Sequence, residues 1–179
     1  MFLSARELFR AAYRMLCACA LFGAMAGAAS AEDWPMYQHD IARSGVSSET
    51  IKAPLAEQWV FRPTAPPAPA WADPQPVPVE GNLEPPRVKF DDAFHAVAVG
   101  GRVYFGSSAD HKLYCLDAKS GRTVWSFTTG GPVRLAPSVA GGRVFFASDD
   151  GFVYCLDAQS GAVVWQVRGG PTPERVLGH

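Results

Sequence analysis

Charge of either sign is nearly cancelled in this sequence: 16 Lys and Arg stand against 17 Asp and Glu, for a formal net charge of −1. No Lys/Arg block breaks that balance. The chain therefore has no electrostatic footprint for nucleic acid and none for an anionic membrane surface. Long apolar runs are missing too. The longest covers about a dozen residues, 15–26, whereas a membrane-spanning helix needs roughly 20. No Ser/His/Asp constellation and no phosphate-cradling glycine loop is present. His39, His95, His111 and His179 have no metal-ligand spacing to one another or to the cysteines. What remains is an ordinary globular balance, 48% hydrophobic and 18% charged, which argues against disorder over the whole length. The 17 Gly and 15 Pro, set among Val and aromatic residues, favour short strands and turns and exclude a long helical bundle.

The first 31 residues read as an address. Arg6, Arg10 and Arg14 precede the apolar run, which closes on the small residues Ala29, Ser30 and Ala31. A basic start, a short apolar stretch and an A-x-A-like site describe a cleavable signal peptide over 1–31, with an uncleaved anchor as the alternative. Cys17 follows Leu16 at the start of the apolar run, the wrong place for lipidation. Cleavage leaves two cysteines, Cys115 and Cys155, in a compartment that permits disulfides. The expected location is periplasmic or extracellular, with no transmembrane span in the exported product.

Three further segments follow. Residues 32–62 form an N-terminal stretch that leads into the repeats, and 63–87 are Pro-rich, with nine of the fifteen prolines between Pro63 and Pro86. Proline fixes φ and lacks a backbone donor, so this second stretch is expected to be an extended loop, neither helix nor central strand. Trp71, Val77 and Val79 suggest that it packs on a neighbour; a Pro-rich docking motif is the alternative. Residues 88–179 then repeat. LYCLDAKSGRTVWSF at 113–127 returns as VYCLDAQSGAVVWQV at 153–167, identical at nine of fifteen positions with an offset of 40. Each unit divides into four short strands, in the first copy 96–99, 102–107, 113–116 and 123–127, with Gly100 and Gly101 at a tight hairpin turn. A period near 40 with several strands per unit marks propeller blades, which cannot bury both faces alone.

The run from Cys115 through Asp117, Ser120 and Gly121 to Trp125 resembles the tryptophan-docking repeat of pyrroloquinoline-quinone (PQQ) type β-propellers, and Cys155, Asp157, Ser160, Gly161 and Trp165 are its second copy. Both copies carry Cys and Ser where that pattern has Ala and Thr. The chemistry suits a structural turn: Asp accepts a downstream backbone N–H, Gly takes a positive φ, and Trp fills the space between blades. Trp34-Pro35-Met36-Tyr37, Asp40, Arg43-Ser44-Gly45, Pro54-Leu55 and Trp59-Val60-Phe61 also resemble the lead-in of such propellers, whose first strand closes the ring with the last blade. The resemblance implies an all-β fold, a propeller of four-stranded blades, with about two blades present of an eight-bladed ring of roughly 320 residues. The sequence therefore reads as an N-terminal part of a longer propeller.

The resemblance implies three functional readings. The first is an exported, non-catalytic scaffold that binds other blades or envelope proteins, like the propeller subunit of the outer-membrane β-barrel assembly machinery. The second is the N-terminal part of a PQQ-dependent quinoprotein dehydrogenase whose PQQ and calcium lie in blades beyond this sequence. A polysaccharide-binding propeller is a third. No catalytic, cofactor or metal residue is evident. Dehydrogenases of the family carry two adjacent cysteines beside PQQ, and no such pair follows the signal. Cys115 and Cys155 fall on neighbouring blades, roughly 10 Å or more apart, beyond the reach of a disulfide, about 7 Å between Cα atoms. They are expected to be small buried thiols. Asp149-Asp150-Gly151 reads as a turn without the ligand ladder of a calcium loop, and His111 stands in the same turn of the first copy, expected to face solvent. Arg134 and His95, near the starts of first strands, are the remaining candidates for a role at a central channel.

Overall fold

The computed structural model describes residues 31–71, 77–79, 81–84 and 91–170. The chain divides after Ala31 into two compact units, and the expected signal peptide lies outside the described residues apart from Ala31. The segment 171–179 lies outside them as well.

Ten strands are present among the described residues. Two form a ribbon inside the Pro-rich stretch, β1 (Val77–Val79) and β2 (Asn82–Glu84), antiparallel, with Pro78 opposite Leu83. The proline content predicts a loop throughout this stretch. A two-stranded ribbon has no central strand, so a proline that cannot donate to a ladder is tolerated there.

The repeats fold as two antiparallel four-stranded meanders. The first is β3 (Val97–Val99), β4 (Arg102–Ser107), β5 (Lys112–Asp117) and β6 (Thr123–Thr128). The second is β7 (Ser138–Ala140), β8 (Arg143–Ala147), β9 (Phe152–Asp157) and β10 (Val163–Arg168). Each is one propeller blade, and the two together are part of a propeller. The Gly-Gly turns at Gly100-Gly101 and Gly141-Gly142 join the first two strands of each blade. The central strands are buried because both their faces are apolar: Leu113, Cys115 and Leu116 in β5, and Tyr154, Cys155 and Leu156 in β9. A bulge recurs in both outer strands, before Trp125 and before Trp165, where the register to the third strand shifts.

One apolar cluster binds the blades together, from Val97, Tyr104 and Leu113 in the first to Val144, Phe146, Tyr154 and Leu156 in the second. Phe127 on the outer strand of blade 1 meets Phe146 and Tyr154 edge-on, with centroids 6.2 and 5.4 Å apart. The leading segment covers the inner strands. Trp34 and Ala98 of β3 exchange backbone hydrogen bonds at 2.6 and 2.9 Å, and Val139 of β7 donates to the Pro35 carbonyl at 2.8 Å. The inner edge strands thereby each gain a backbone partner.

Candidate functional site

The repeated turn is built twice from the same bonds. In the first copy the Asp117 carboxylate accepts from the Ser120 backbone N–H at 2.8 Å and from the Ser120 hydroxyl at 2.7 Å. In the second, Asp157 accepts from Ser160 at the same two distances, 2.8 and 2.7 Å. Gly121 and Gly161 close the turns at φ 67° and 73° and donate to the Asp carbonyls at 2.8 Å. The Ser hydroxyl and then its backbone N–H hold each carboxyl below its ordinary value. These groups are engaged in shaping the backbone and have no free chemistry.

An indole lies on each turn. The Trp125 Nε1–H, on the outer strand of blade 1, donates to the Ala158 carbonyl of blade 2 at 3.2 Å. Its ring lies so close that a methyl on Gly161 would be 2.7 Å from Cδ2. Glycine is required here both for its positive φ and for the ring above it. Arg102 and Tyr104 reinforce the same seam: Nη1 of Arg102 donates to Gln159 at 2.9 Å, and the Tyr104 hydroxyl donates to Ala158 at 3.2 Å. Burial, first of all, pushes the Tyr104 phenol up to about 12.

The turn of blade 1 carries an indole whose part in the repeat sequence reasoning missed. Trp59 donates to the Ala118 carbonyl at 2.9 Å and lies over Gly121, and Phe61 packs on Phe105 and Tyr114 at 5.4 and 5.6 Å. Trp59 and Phe61 thus occupy, against blade 1, the places of Trp125 and Phe127 against blade 2. The signal was in the sequence, since Trp-x-Phe occurs at 59–61 and again at 125–127.

Trp165 differs. It is 41% exposed, 6.1 Å from the Phe145 ring, and its indole N–H has no acceptor among the described residues. The rest of β10 is open with it: Val163, Val164 and Val167 are 48%, 43% and 57% exposed.

The other candidates separate. Cys115 and Cys155 are free and fully buried on β5 and β9, and burial pushes the Cys115 thiol up. Asp149 and Asp150 are occupied: Asp149 grips Arg134 through Nε at 2.6 Å and Nη2 at 3.2 Å, while Asp150 accepts from the Tyr154 hydroxyl at 2.7 Å. Gly151 turns at φ 88°, and His111 occupies the matching place at φ 56°. His111 is partly buried where full exposure was expected, and its carbonyl accepts from both the backbone N–H and the hydroxyl of Thr129. His95 is exposed just before β3, edge-on to Tyr37 at 6.3 Å. Among the described residues no group of three or more His, Cys, Asp and Glu is placed to hold a metal ion, and no helix is long and apolar enough to cross a membrane.

Residues 56–179 match the family model described as outer membrane protein assembly factor BamB. No curated protein matches the chain. Among solved structures, BamB from Moraxella catarrhalis is similar over 38% of this chain and 21% of its own length, at 29% identity and a TM-score of 0.36. A europium-containing methanol dehydrogenase is similar over 44% of this chain and 17% of its own, at 23% identity and a TM-score of 0.38. The quinohemoprotein alcohol dehydrogenase ADHIIG from Pseudomonas putida HK5 gives 41% and 12%, at 27% identity and a TM-score of 0.37. The chain spans about a fifth or less of the length of these structures.

Proposed function

Since the chain belongs to the PQQ-like β-propeller family whose model is described as outer membrane protein assembly factor BamB, we propose that it is an exported, non-catalytic propeller segment that binds protein in the cell envelope as an assembly scaffold. The observation that carries this reading is the open face of β10. Trp165 and Val167 lie exposed where their counterparts in blade 1, Trp125 and Phe127, are partly covered by the next blade, while Val163 and Val164 are exposed as Thr123 and Val124 are. A strand face of that make-up takes an apolar neighbour, whether a further blade or an envelope protein. Trp165 is its anchor, in the part that Trp125 plays inside the chain: an indole docked on a turn of a neighbouring blade.

In this reading the leading 31 residues are the export signal, the product works in the periplasm or outside the cell, and no PQQ or calcium takes part. Among the described residues, what supports the scaffold over the dehydrogenase is the cysteine arrangement. The cysteine pair of the family's dehydrogenases is adjacent in sequence, whereas Cys115 and Cys155 lie on separate sheets and are free.

A photo-crosslinking residue at Val164, placed in the full-length protein in its own cell envelope, tests the proposal. Crosslinking to a protein of the outer-membrane assembly apparatus, lost in Trp165→Ala, is the expected result. Quinone absorbance that co-migrates with the protein after addition of PQQ and calcium would replace the scaffold by a dehydrogenase.

A further inference from the structure

A cavity of about 410 Å³ opens where the leading segment meets the starts of β3 and β7, lined by Tyr37, Arg43, His95, Leu135, Ala136 and Ser138. We propose that it binds a small organic monocarboxylate, with Arg43 as the anion-binding group. The proposal does not rest on the scaffold reading, which concerns the outer strand β10.

Three observations carry it. First, Arg43 is an exposed cation that lines this cavity. Its guanidinium has no hydrogen-bond or ion-pair partner among the described residues, whereas Arg134 is committed to Asp149 and Arg102 to the carbonyls of Ala158 and Gln159. The nearest carboxylate in sequence, Asp40, is also committed, accepting from the Ser44 backbone at 3.0 Å and the Ser44 hydroxyl at 2.6 Å.

Second, the loop that presents Arg43 is held in an unfavourable shape. Gln38, His39 and Arg43 all have left-handed backbone, at φ 57°, 75° and 55°. Residues with a Cβ avoid that region, and such conformations gather at ligand sites when the surroundings enforce them. Here they are enforced by the Gly45 N–H donating to Gln38 at 3.0 Å, by the Asp40–Ser44 bonds, and by the Trp34 ring 4.8 Å from His39. The Arg43 backbone is thereby fixed before any ligand arrives, which leaves only its side chain to be ordered on binding.

Third, the remaining lining selects an organic acid. A guanidinium fork fits a carboxylate with two parallel hydrogen bonds. Leu135 and Ala136 give an apolar wall, Tyr37 and His95 present ring faces and edges, and the Ser138 hydroxyl adds one polar contact. A single guanidinium matches one carboxylate. The volume lies within the range of small-molecule sites. Inorganic phosphate would leave the apolar wall unused.

The test is a titration of the full chain with benzoate, with acetate and inorganic phosphate as separate arms, followed by ¹⁵N NMR of the arginine side chains and by calorimetry. Saturable binding of benzoate with a shift of the Arg43 Nε–H is the expected result. Arg43→Gln should weaken it at least tenfold while leaving the melting temperature unchanged. Leu135→Asp, at a well-exposed position, should weaken it equally by placing a like charge in the cavity. Arg122→Gln, on an outer turn, should change nothing. Phosphate binding as tightly as benzoate, benzoate binding that survives Arg43→Gln, or no saturable shift at Arg43 each overturns the proposal.

Discussion

The two blades are close to an internal control for each other. Their turns agree in every bond distance from the Asp carboxylate to the Ser, at 2.8 and 2.7 Å. Their aromatic pairs agree as well, with Phe105–Tyr114 stacked at 5.2 Å and Phe146–Tyr154 at 5.1 Å. They part at the outer strand. Trp125 has an acceptor on the next blade and a glycine beneath its ring, while Trp165 has neither among the described residues. The same residue at the same place in the same motif therefore has two environments. A propeller repeat specifies its own hydrogen bonds, but the burial of its outer face is set by what stands beside it.

The strongest way to break the comparison is to remove both indoles separately. Trp125→Ala empties the seam and should cost about 3 kcal/mol in a urea titration, the low end for a large aromatic because the ring is only partly buried. Equal losses for Trp125→Ala and Trp165→Ala would mean that the seam does not hold the blades together. Next in size is Gly161→Ala, which combines a positive φ with a methyl 2.7 Å from the Trp125 ring, and should cost about 2 kcal/mol or more. Gly141→Ala sharpens this, having a positive φ but nothing within 4 Å of the added methyl. It should cost about 1 kcal/mol from backbone strain alone.

Acid comes third. Asp117 and Asp157 have carboxyls held below their ordinary value of 3.8, first by the Ser hydroxyl and then by its backbone N–H. A lowered folded-state pKa contributes stability that is present above the unfolded value and is lost as pH falls through the folded one. Melting temperature should thus fall below about pH 4, and the double variant Asp117→Asn, Asp157→Asn should flatten that acid limb. An unchanged limb would place the acid sensitivity elsewhere. The smallest effect belongs to Trp165→Ala. It should leave the stability of the chain within about 0.5 kcal/mol, as surface substitutions do, while abolishing the Val164 crosslink.

Much of this was legible beforehand because it is local. The four strands of each blade, the Gly-Gly hairpins and the Asp–Ser–Gly turn depend on alternation and turn chemistry within a few residues, and the observed strands start and end within two residues of the expected ones. The ribbon at Val77–Val79 and Asn82–Glu84 was obscured because proline argues against a strand unless the sheet has no centre. Trp59 was read as part of a lead-in, since its equivalence to Trp125 shows only when Gly121 is seen beneath it. The left-handed residues of the leading loop, Gln38, His39 and Arg43, include no glycine and so carry no local signal.

By itself the sequence determined the class of fold, the blade boundaries and the family, because a 40-residue period of short strands and a doubled turn motif are properties of neighbours along the chain. Tertiary structure decided which indole is buried, where Trp59 docks and that Arg43 lines a cavity. Burial and pairing depend on residues 36 to 62 positions away, as Trp59 depends on Gly121 and Trp125 on Gly161. No periodicity within a single strand records such a partner.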